Sequence, residues 1–184
     1  RQFFGVDALA PEGWRLLENV ARVMAEHRQN VILTPLMELV HPRLEAGELR
    51  YDFADFDRWV ETFQRAGVVG YIEGRHLLGR QDGYDSPLRV EIFLAEAGQV
   101  RREKLPPDDP RVEPFLAGFL AALASHLQAR GWQSIYYQHI LDEAHGPEPP
   151  YYAKFAALVR RHLPAIPTLD AVDAARMPEE LQQN

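Results

Sequence analysis

Residues 134–143 have the sequence Ser134-Ile135-Tyr136-Tyr137-Gln138-His139-Ile140-Leu141-Asp142-Glu143, which ends on two adjacent carboxylates. Its β-branched and aromatic residues predict a strand, and the Gly- and Pro-containing residues 144–150 predict a turn directly after it. Side chains alternate between the two faces of a strand, so neighbouring carboxylates inside one would point in opposite directions. At the carboxyl end of a strand the chain can change direction, and Asp142 and Glu143 can then reach a common site.

Helical and strand-like patterns alternate along the rest of the chain. Residues 11–29 have apolar side chains at three- and four-residue spacing, which is typical of a helix that packs on a sheet. Short apolar runs such as Val31–Thr34 are typical of buried parallel strands. In order, we predict a helix at 11–29, a strand at 31–34, a loop at 36–49, a helix from Tyr51 to Gly67, strands at 68–72 and 89–94, a loop at 97–110, a helix from Pro110 to Gly131, the strand at 134–143, a helix from Pro149 to Pro164, a strand at 166–169 and a last helical turn at 178–183.

This alternation predicts an α/β fold in which helices cover a mainly parallel sheet. Both an open doubly wound sheet and part of a (β/α) barrel of the TIM type have this order of elements. A complete barrel needs about 250 residues, so this chain would supply only about five of its strands. We predict a single catalytic domain over residues 1–184, and a barrel would then be a partial one or a fragment of a larger domain.

The composition excludes several classes of protein. The formal net charge of -7 argues against nucleic acid as a partner, because phosphate binding requires clustered cations. The absence of cysteine excludes disulfides, thiolate nucleophiles and Cys-type zinc sites. The sequence has neither an apolar run long enough for a membrane nor the pattern of a signal peptide. We therefore expect a soluble protein with no membrane partner, in the cytosol or exported.

In both candidate folds the functional site lies at the carboxyl ends of the parallel strands. Polar residues occupy these positions in the predicted order. The run Glu73-Gly74-Arg75-His76 comes directly after one strand, as Asp142 and Glu143 come at the end of another. The full set of polar strand-end residues is Thr34, Glu73 to His76, Glu96, His139, Asp142, Glu143 and Asp170.

Motif spacing narrows the chemistry of these residues. The glycines have neither dinucleotide-loop nor Walker spacing, and no serine has the flanking glycines of a nucleophile elbow. A metal site could be drawn from His139, Asp142, Glu143 and His145, but no HExxH-type spacing supports it. We therefore predict no metal and no cofactor, and favour a carboxylate mechanism.

Paired carboxylates suit glycoside hydrolysis, in which one carboxyl protonates the leaving oxygen and a second group stabilises an oxocarbenium-like centre. In the substrate-assisted variant the sugar's own 2-acetamido carbonyl traps that centre, so one acid and one orienting carboxylate suffice. The adjacent pair Asp142 and Glu143 fits this requirement. Their spacing equally allows both residues to cap the following helix or to lie in a solvated loop.

The run from Tyr136 to Glu143 resembles the strand that carries the Asp-Glu pair of glycoside hydrolase family 123, and still more the related bacterial domain of unknown function 4091. The likeness extends to residues 27–36, 51–59 and 72–77. It implies a (β/α) barrel glycosidase that acts on 2-acetamido sugars, especially N-acetyl-β-galactosaminides, with retention and without metal. By this resemblance Glu143 is the general acid/base, and Asp142 orients the acetamido group.

The resemblance also implies Glu73, His76 and His139 as candidate sugar contacts. Ala144 departs from the pattern, because relatives often have proline after the pair. The chain corresponds to part of the family's barrel, whose exposed sheet edges could pair in a homodimer. Two alternatives stay open, a non-catalytic carbohydrate-binding barrel and a metal-dependent hydrolase or isomerase.

Overall fold

A computed structural model of the chain describes residues 2–3, 6–68 and 70–171. No helix among them is both long and apolar enough to cross a membrane. The elements in chain order are β1 (Gln2–Phe3), β2 (Val6–Asp7), α1 (Pro11–Glu26), β3 (Val31–Thr34), α2 (Leu36–Leu39), β4 (His41–Glu45), β5 (Glu48–Asp52), α3 (Ala54–Ala66), β6 (Tyr71–Gly74), β7 (Leu78–Arg80), β8 (Leu88–Glu96), β9 (Gln99–Leu105), α4 (Val112–Arg130), a 3₁₀ turn (Gln133–Ile135), β10 (Tyr136–Gln138) and α5 (Pro149–His162).

A parallel sheet in the order β10-β6-β3 lies at the centre of the fold. Ile72 lies between Ile32 and Tyr136 in the register, so one row of buried side chains crosses all three strands. An isolated parallel bridge from Gln138 to Thr168 adds a fourth chain segment beside β10. Spatial order therefore follows chain order, without the reversal that defines a doubly wound sheet.

The described residues form a mixed α/β fold, but they do not form a closed barrel. The parallel sheet covered by helices is confirmed, and the predicted TIM-type barrel is not confirmed. The strands β7, β8 and β9 pair with one another in a separate antiparallel sheet, and β7 meets the parallel sheet just past the end of β10, where the Leu78 N–H donates to the Ile140 carbonyl oxygen at 2.9 Å.

The long helices agree closely with the sequence pattern. Both α3 and α4 end at a glycine in the left-handed conformation, Gly67 with φ 95° and Gly131 with φ 70°. The side chain of Asp52 accepts the Ala54 N–H at 2.9 Å and so satisfies a free donor at the start of α3. The two predicted helices from Tyr51 and Pro110 are confirmed by these boundaries. The turn predicted at 178–183 lies outside the described residues.

Both predicted loops contain strands, and this part of the prediction was wrong. Residues 36–49 include the short helix α2 and most of the β4–β5 hairpin, and residues 97–110 include β9. Each hairpin turns through an Ala-Gly pair with positive φ at both residues, Ala46-Gly47 and Ala97-Gly98. The three strands that were missed in these loops, β4, β5 and β9, carry many exposed charged residues, so no apolar run revealed them.

Candidate active site

Three neighbouring parallel segments bring Glu73, His139 and Asp170 together. Oε1 of Glu73 lies 2.6 Å from Nε2 of His139, and Oδ1 of Asp170 lies 2.9 Å from Nδ1 of the same ring. Nε2 of His76 lies 3.5 Å from Oδ1 of Asp170, and its ring centroid is 4.5 Å from that of His139. We call these four residues, Glu73, His76, His139 and Asp170, the strand-end cluster.

His139 lies at the centre of the strand-end cluster. A carboxylate faces each of its ring nitrogens, so both contacts are hydrogen bonds when both nitrogens carry a proton. The hydroxyl of Tyr137 donates to Oε2 of Glu73 at 3.2 Å and so fixes the second oxygen of that carboxylate. Burial, together with the Glu73 carboxylate, raises the pKa of Tyr137 to about 12. This phenol therefore stays a donor at neutral pH.

Asp170 is the most deeply buried member of the cluster, and its side chain has no exposed surface. Both carboxylate oxygens accept the Ile140 N–H at 3.0 Å. Burial raises the pKa of the Asp170 carboxyl, while the bonds from Ile140 and His139 oppose that change. Burial and Asp170 raise the pKa of Tyr152 to about 12. Asp170 thus supports its neighbours without reaching solvent.

His76 lies on the more open side of the cluster. Burial lowers the pKa of His76 and the adjacent His139 lowers it further, while the carboxylates of Asp170, Asp142 and Glu73 act in the opposite direction. Asp142 is therefore near enough to act electrostatically on the strand-end cluster.

The backbone beneath the cluster is fixed by the buried amide of Gln138. Its Nε2 donates to the carbonyl oxygens of Arg75 at 2.8 Å and His139 at 2.9 Å, with Gly74 at 3.3 Å. Its Oε1 accepts the hydroxyl of Tyr136 at 2.6 Å. A Cβ at Gly74 would lie only 2.0 Å from that hydroxyl oxygen, so the close approach of β6 and β10 requires glycine here.

Asp142 and Glu143 lie in a turn, not at the end of a strand. The predicted strand is shorter than expected, because β10 ends at Gln138. We call residues 141–144 the carboxylate turn. Leu141 and Ala144 are buried at its two ends, whereas Asp142 and Glu143 are exposed between them. Within the described part of the chain, neither carboxylate accepts a hydrogen bond.

The backbone of the carboxylate turn is held from below by Arg80 on β7. Nη1 of Arg80 donates to the Asp142 carbonyl oxygen at 3.0 Å, and Nη2 donates to that of Glu143 at 3.2 Å. The same guanidinium contacts both carboxylate oxygens of Glu148, at 3.1 and 2.6 Å. The side chains of this ion pair are only 10% and 8% exposed. A buried ion pair therefore positions the two exposed carboxylates.

Glu143 adopts φ 45°, a left-handed conformation that is uncommon outside glycine. Its N–H donates to the carbonyl oxygen of Ala171 at 3.1 Å, so the turn is also tied to the segment that follows Asp170. The sequence analysis did not identify Arg80 or Glu148. β7 was not predicted, and Glu148 lay in a stretch that predicted only a turn, so no local pattern marked either residue.

Other predicted site residues are not brought together. The hydroxyl of Thr34 donates to the Ile32 carbonyl oxygen of its own strand. Glu96 lies at the end of β8 in the antiparallel sheet and pairs with Arg101 at 3.5 Å. The strand-end rule therefore holds for Glu73, His139 and Asp170 but not for Thr34, and it fails for β8, which was wrongly assigned to the parallel sheet.

In the described residues, the group that could hold a metal ion is His76, His139 and Asp170, whose ligand atoms lie within 4.8 Å of one another. In this arrangement the two ring nitrogens of His139 already face carboxylates. The predicted metal site that includes His145 is not assembled. The His145 ring stacks on Tyr84, and its Nδ1 lies 3.0 Å from Nη2 of Arg80.

The family model described as glycoside hydrolase 123, catalytic domain, matches residues 1–184 of this sequence. The chain belongs to this family. The resemblance seen in residues 136–143 is thereby confirmed. Among curated proteins, no sequence matches the chain.

One solved structure with the same fold is a family 123 glycoside hydrolase from Clostridium perfringens, studied for glycolipid glycan hydrolysis. The TM-score is 0.66 at 14% sequence identity, and the match covers 93% of this chain. It covers 32% of the Clostridium chain, so the family 123 chain described here spans about a third of that relative.

Proposed function

We propose that this family 123 chain carries the catalytic carboxylates of a retaining, substrate-assisted glycosidase that acts on 2-acetamido sugars of the N-acetyl-β-galactosaminide type. The observation that carries this proposal is the carboxylate turn, where two adjacent exposed carboxylates are held through their backbone beside a buried polar cluster. The Clostridium relative supports a glycan substrate, and the glycan of a glycolipid is the class to test first.

In the proposed mechanism Glu143 donates a proton to the glycosidic oxygen as the bond from C1 to that oxygen breaks. The carbonyl oxygen of the substrate's 2-acetamido group attacks C1 from the opposite face and gives an oxazolinium-type intermediate. Asp142 accepts the acetamido N–H and offsets the positive charge. Glu143 then removes a proton from a water molecule that attacks C1 and reopens the ring. Two inversions at C1 leave the anomeric configuration retained.

The strand-end cluster is proposed to bind the sugar. Glu73 and His76 are partly exposed, with 24% and 27% of the side-chain surface accessible, so both can offer polar atoms to hydroxyl groups. His139 is 11% exposed, and its ring is oriented by Glu73 and Asp170. Because Asp170 is buried, its proposed role is to orient His139.

The test is turnover of nitrophenyl β-glycosides of N-acetylgalactosamine and N-acetylglucosamine, beside the corresponding 2-hydroxy sugars. We expect only the acetamido sugars to react, and Glu143→Gln to lower kcat by roughly 10²-fold or more, since general acid catalysis contributes that much. Glu45→Gln, which changes an exposed acid on the β4–β5 hairpin, is the matched control and should retain activity.

Equal turnover of 2-hydroxy sugars would contradict the role given to the acetamido group. Sugar binding without hydrolysis, unchanged in Glu143→Gln, would instead support a carbohydrate-binding module. A requirement for added metal would favour the metal-dependent alternative.

A further inference from the structure

A cavity of about 190 Å³ lies at the edge of the strand-end cluster. His76 of the cluster and Arg80, which holds the turn, both form part of its wall. A ligand in this cavity would therefore contact His76 and Arg80, two residues of the proposed site.

Cations without acidic partners line the cavity. The side chains of Arg75, Arg89 and Lys104 face it, and none of them forms an ion pair with another described residue. Arg89 donates from Nη1 to the Leu88 carbonyl oxygen at 2.9 Å, and its guanidinium makes no other hydrogen bond to a described residue. In a chain with 27 acidic residues and 20 Lys and Arg residues, three unpaired cations at one cavity are unexpected. Like charges held close together repel, and an anion between them removes that repulsion.

Two acidic residues of the lining offset only part of this positive charge. Glu38 and Glu91 are both bound by Arg102, Glu38 at 3.1 Å from Nη2 and Glu91 at Nε. Lys104 lies opposite Glu91 in the β8–β9 register but forms no ion pair with it. Arg102 therefore neutralises one of the two carboxylates, and the three cations keep an excess of two positive charges over the other.

The opposing strand leaves room for a ligand. Gly79 lies opposite Arg89 in the β7–β8 register, and no atom lies within 4 Å of the position that a Cβ would take there. Residue 79 therefore places no side chain opposite Arg89, and the space beside residue 79 is open.

We propose that this cavity is an anion subsite that takes a sulfate ester or a carboxylate carried by a substituted glycan. Guanidinium and ammonium groups together suit such oxyanions, because arginine binds two oxygens at once and lysine adds a compact charge. The sugar part of this proposal rests on the proposed function, and the anion part rests on the cavity alone.

Calorimetric titration tests sugar binding and anion binding separately. The probes are N-acetylgalactosamine, its 6-sulfate, inorganic sulfate, and methyl β-glucuronide beside methyl β-glucoside, all at one ionic strength. We expect the sulfated sugar, the glucuronide or both to bind at least roughly tenfold more tightly than the neutral counterpart, as charge-assisted hydrogen bonds predict. Raising the salt concentration should reduce this preference.

Three variants test the residues. Arg89→Gln removes one of the cations, Gly79→Glu places a carboxylate opposite residue 89, and Gly79→Gln adds the same volume without charge. The first two should abolish the preference for the anion, and Gly79→Gln should weaken it less than Gly79→Glu. Arg22→Gln is the control, because Arg22 is an exposed arginine on α1 that bonds Asn19. Melting temperatures confirm that each variant is folded.

Each outcome decides between the proposals. Equal binding of neutral and anionic sugars overturns the anion subsite and leaves the glycosidase proposal standing. Binding of inorganic sulfate that depends on Arg89, with no binding of any sugar, supports the subsite and counts against the glycosidase proposal. An anion preference that survives in both Arg89→Gln and Gly79→Glu places the anion elsewhere and overturns the subsite.

Discussion

The strand-end cluster and the carboxylate turn lie side by side, but they are built in opposite ways. In the cluster, Glu73, His139 and Asp170 bond to one another through their side chains and are largely withdrawn from water. In the turn, the side chains of Asp142 and Glu143 are exposed, and their backbone is held by Arg80.

The difference separates two tasks in one site. A cluster whose polar atoms are already satisfied keeps a fixed shape, which suits the recognition of a sugar. Carboxylates that change their protonation and contacts during a reaction cannot be fixed in that way. Fixing only their backbone leaves the oxygens free for substrate while the position of the turn is preserved.

Replacement of Arg80 should have the largest effect on both the free energy of unfolding and turnover. Arg80→Met leaves Glu148 buried without its cation, and losing one partner of a buried ion pair costs about 3–5 kcal/mol of unfolding free energy. Turnover should fall by roughly 10²-fold as well, since small displacements of reacting groups have effects of that size. Urea unfolding and steady-state kinetics measure the two effects.

A double variant distinguishes stability from positioning. Arg80→Met with Glu148→Met replaces the pair by apolar groups and should recover much of the stability while turnover stays low. Arg50→Met, at an exposed ion pair with Glu48, is the control and should change stability by less than about 1 kcal/mol. Recovery of turnover in the double variant would mean that the turn does not need Arg80.

A smaller loss of unfolding free energy is expected at Gly74, where β6 and β10 approach each other closely beneath the strand-end cluster. Gly74→Ala would place a Cβ against the Tyr136 hydroxyl, and overpacking of this kind costs about 1–3 kcal/mol. Gly79→Ala, where nothing lies within 4 Å, is the matched control and should leave the unfolding free energy nearly unchanged. Adding Tyr136→Phe to Gly74→Ala removes the clashing oxygen and should restore part of the loss. An unaltered urea midpoint in Gly74→Ala would show that β6 and β10 can move apart.

Sequence patterns predicted residues of the strand-end cluster, but they did not predict Arg80 and Glu148, which hold the carboxylate turn. Glu73 and His139 were predicted together because both were assigned to the carboxyl-terminal ends of strands in one parallel sheet, and such ends meet at one edge. The long helices were recognised for a similar reason, since Gly67 and Gly131 end clear apolar patterns. Signals of this kind are local in sequence.

Arg80 and Glu148 gave no such signal. They are separated by 68 positions, and their contact depends on how β7 packs beneath the turn. Arg80 lies on β7, which has only three residues and is too short to show an alternation of buried and exposed side chains. The contribution of an arginine through backbone carbonyl oxygens can be seen only when the fold is known.

The smallest change in stability is expected at His76, whose contribution to the free energy of unfolding should depend on pH. Burial lowers the folded-state pKa of His76, so the neutral ring is favoured in the folded protein. The resulting stability is present above the ordinary histidine pKa of about 6.5 and is lost as the pH falls through the lowered value. The stability advantage of the native protein over His76→Gln, measured by urea unfolding between pH 8 and 5, should therefore narrow on acidification. An advantage that widens instead would mean that the carboxylates of Asp170, Asp142 and Glu73 outweigh burial. His76 would then act as a charged ion-pair partner linking the strand-end cluster to the carboxylate turn, and the two regions would titrate as one.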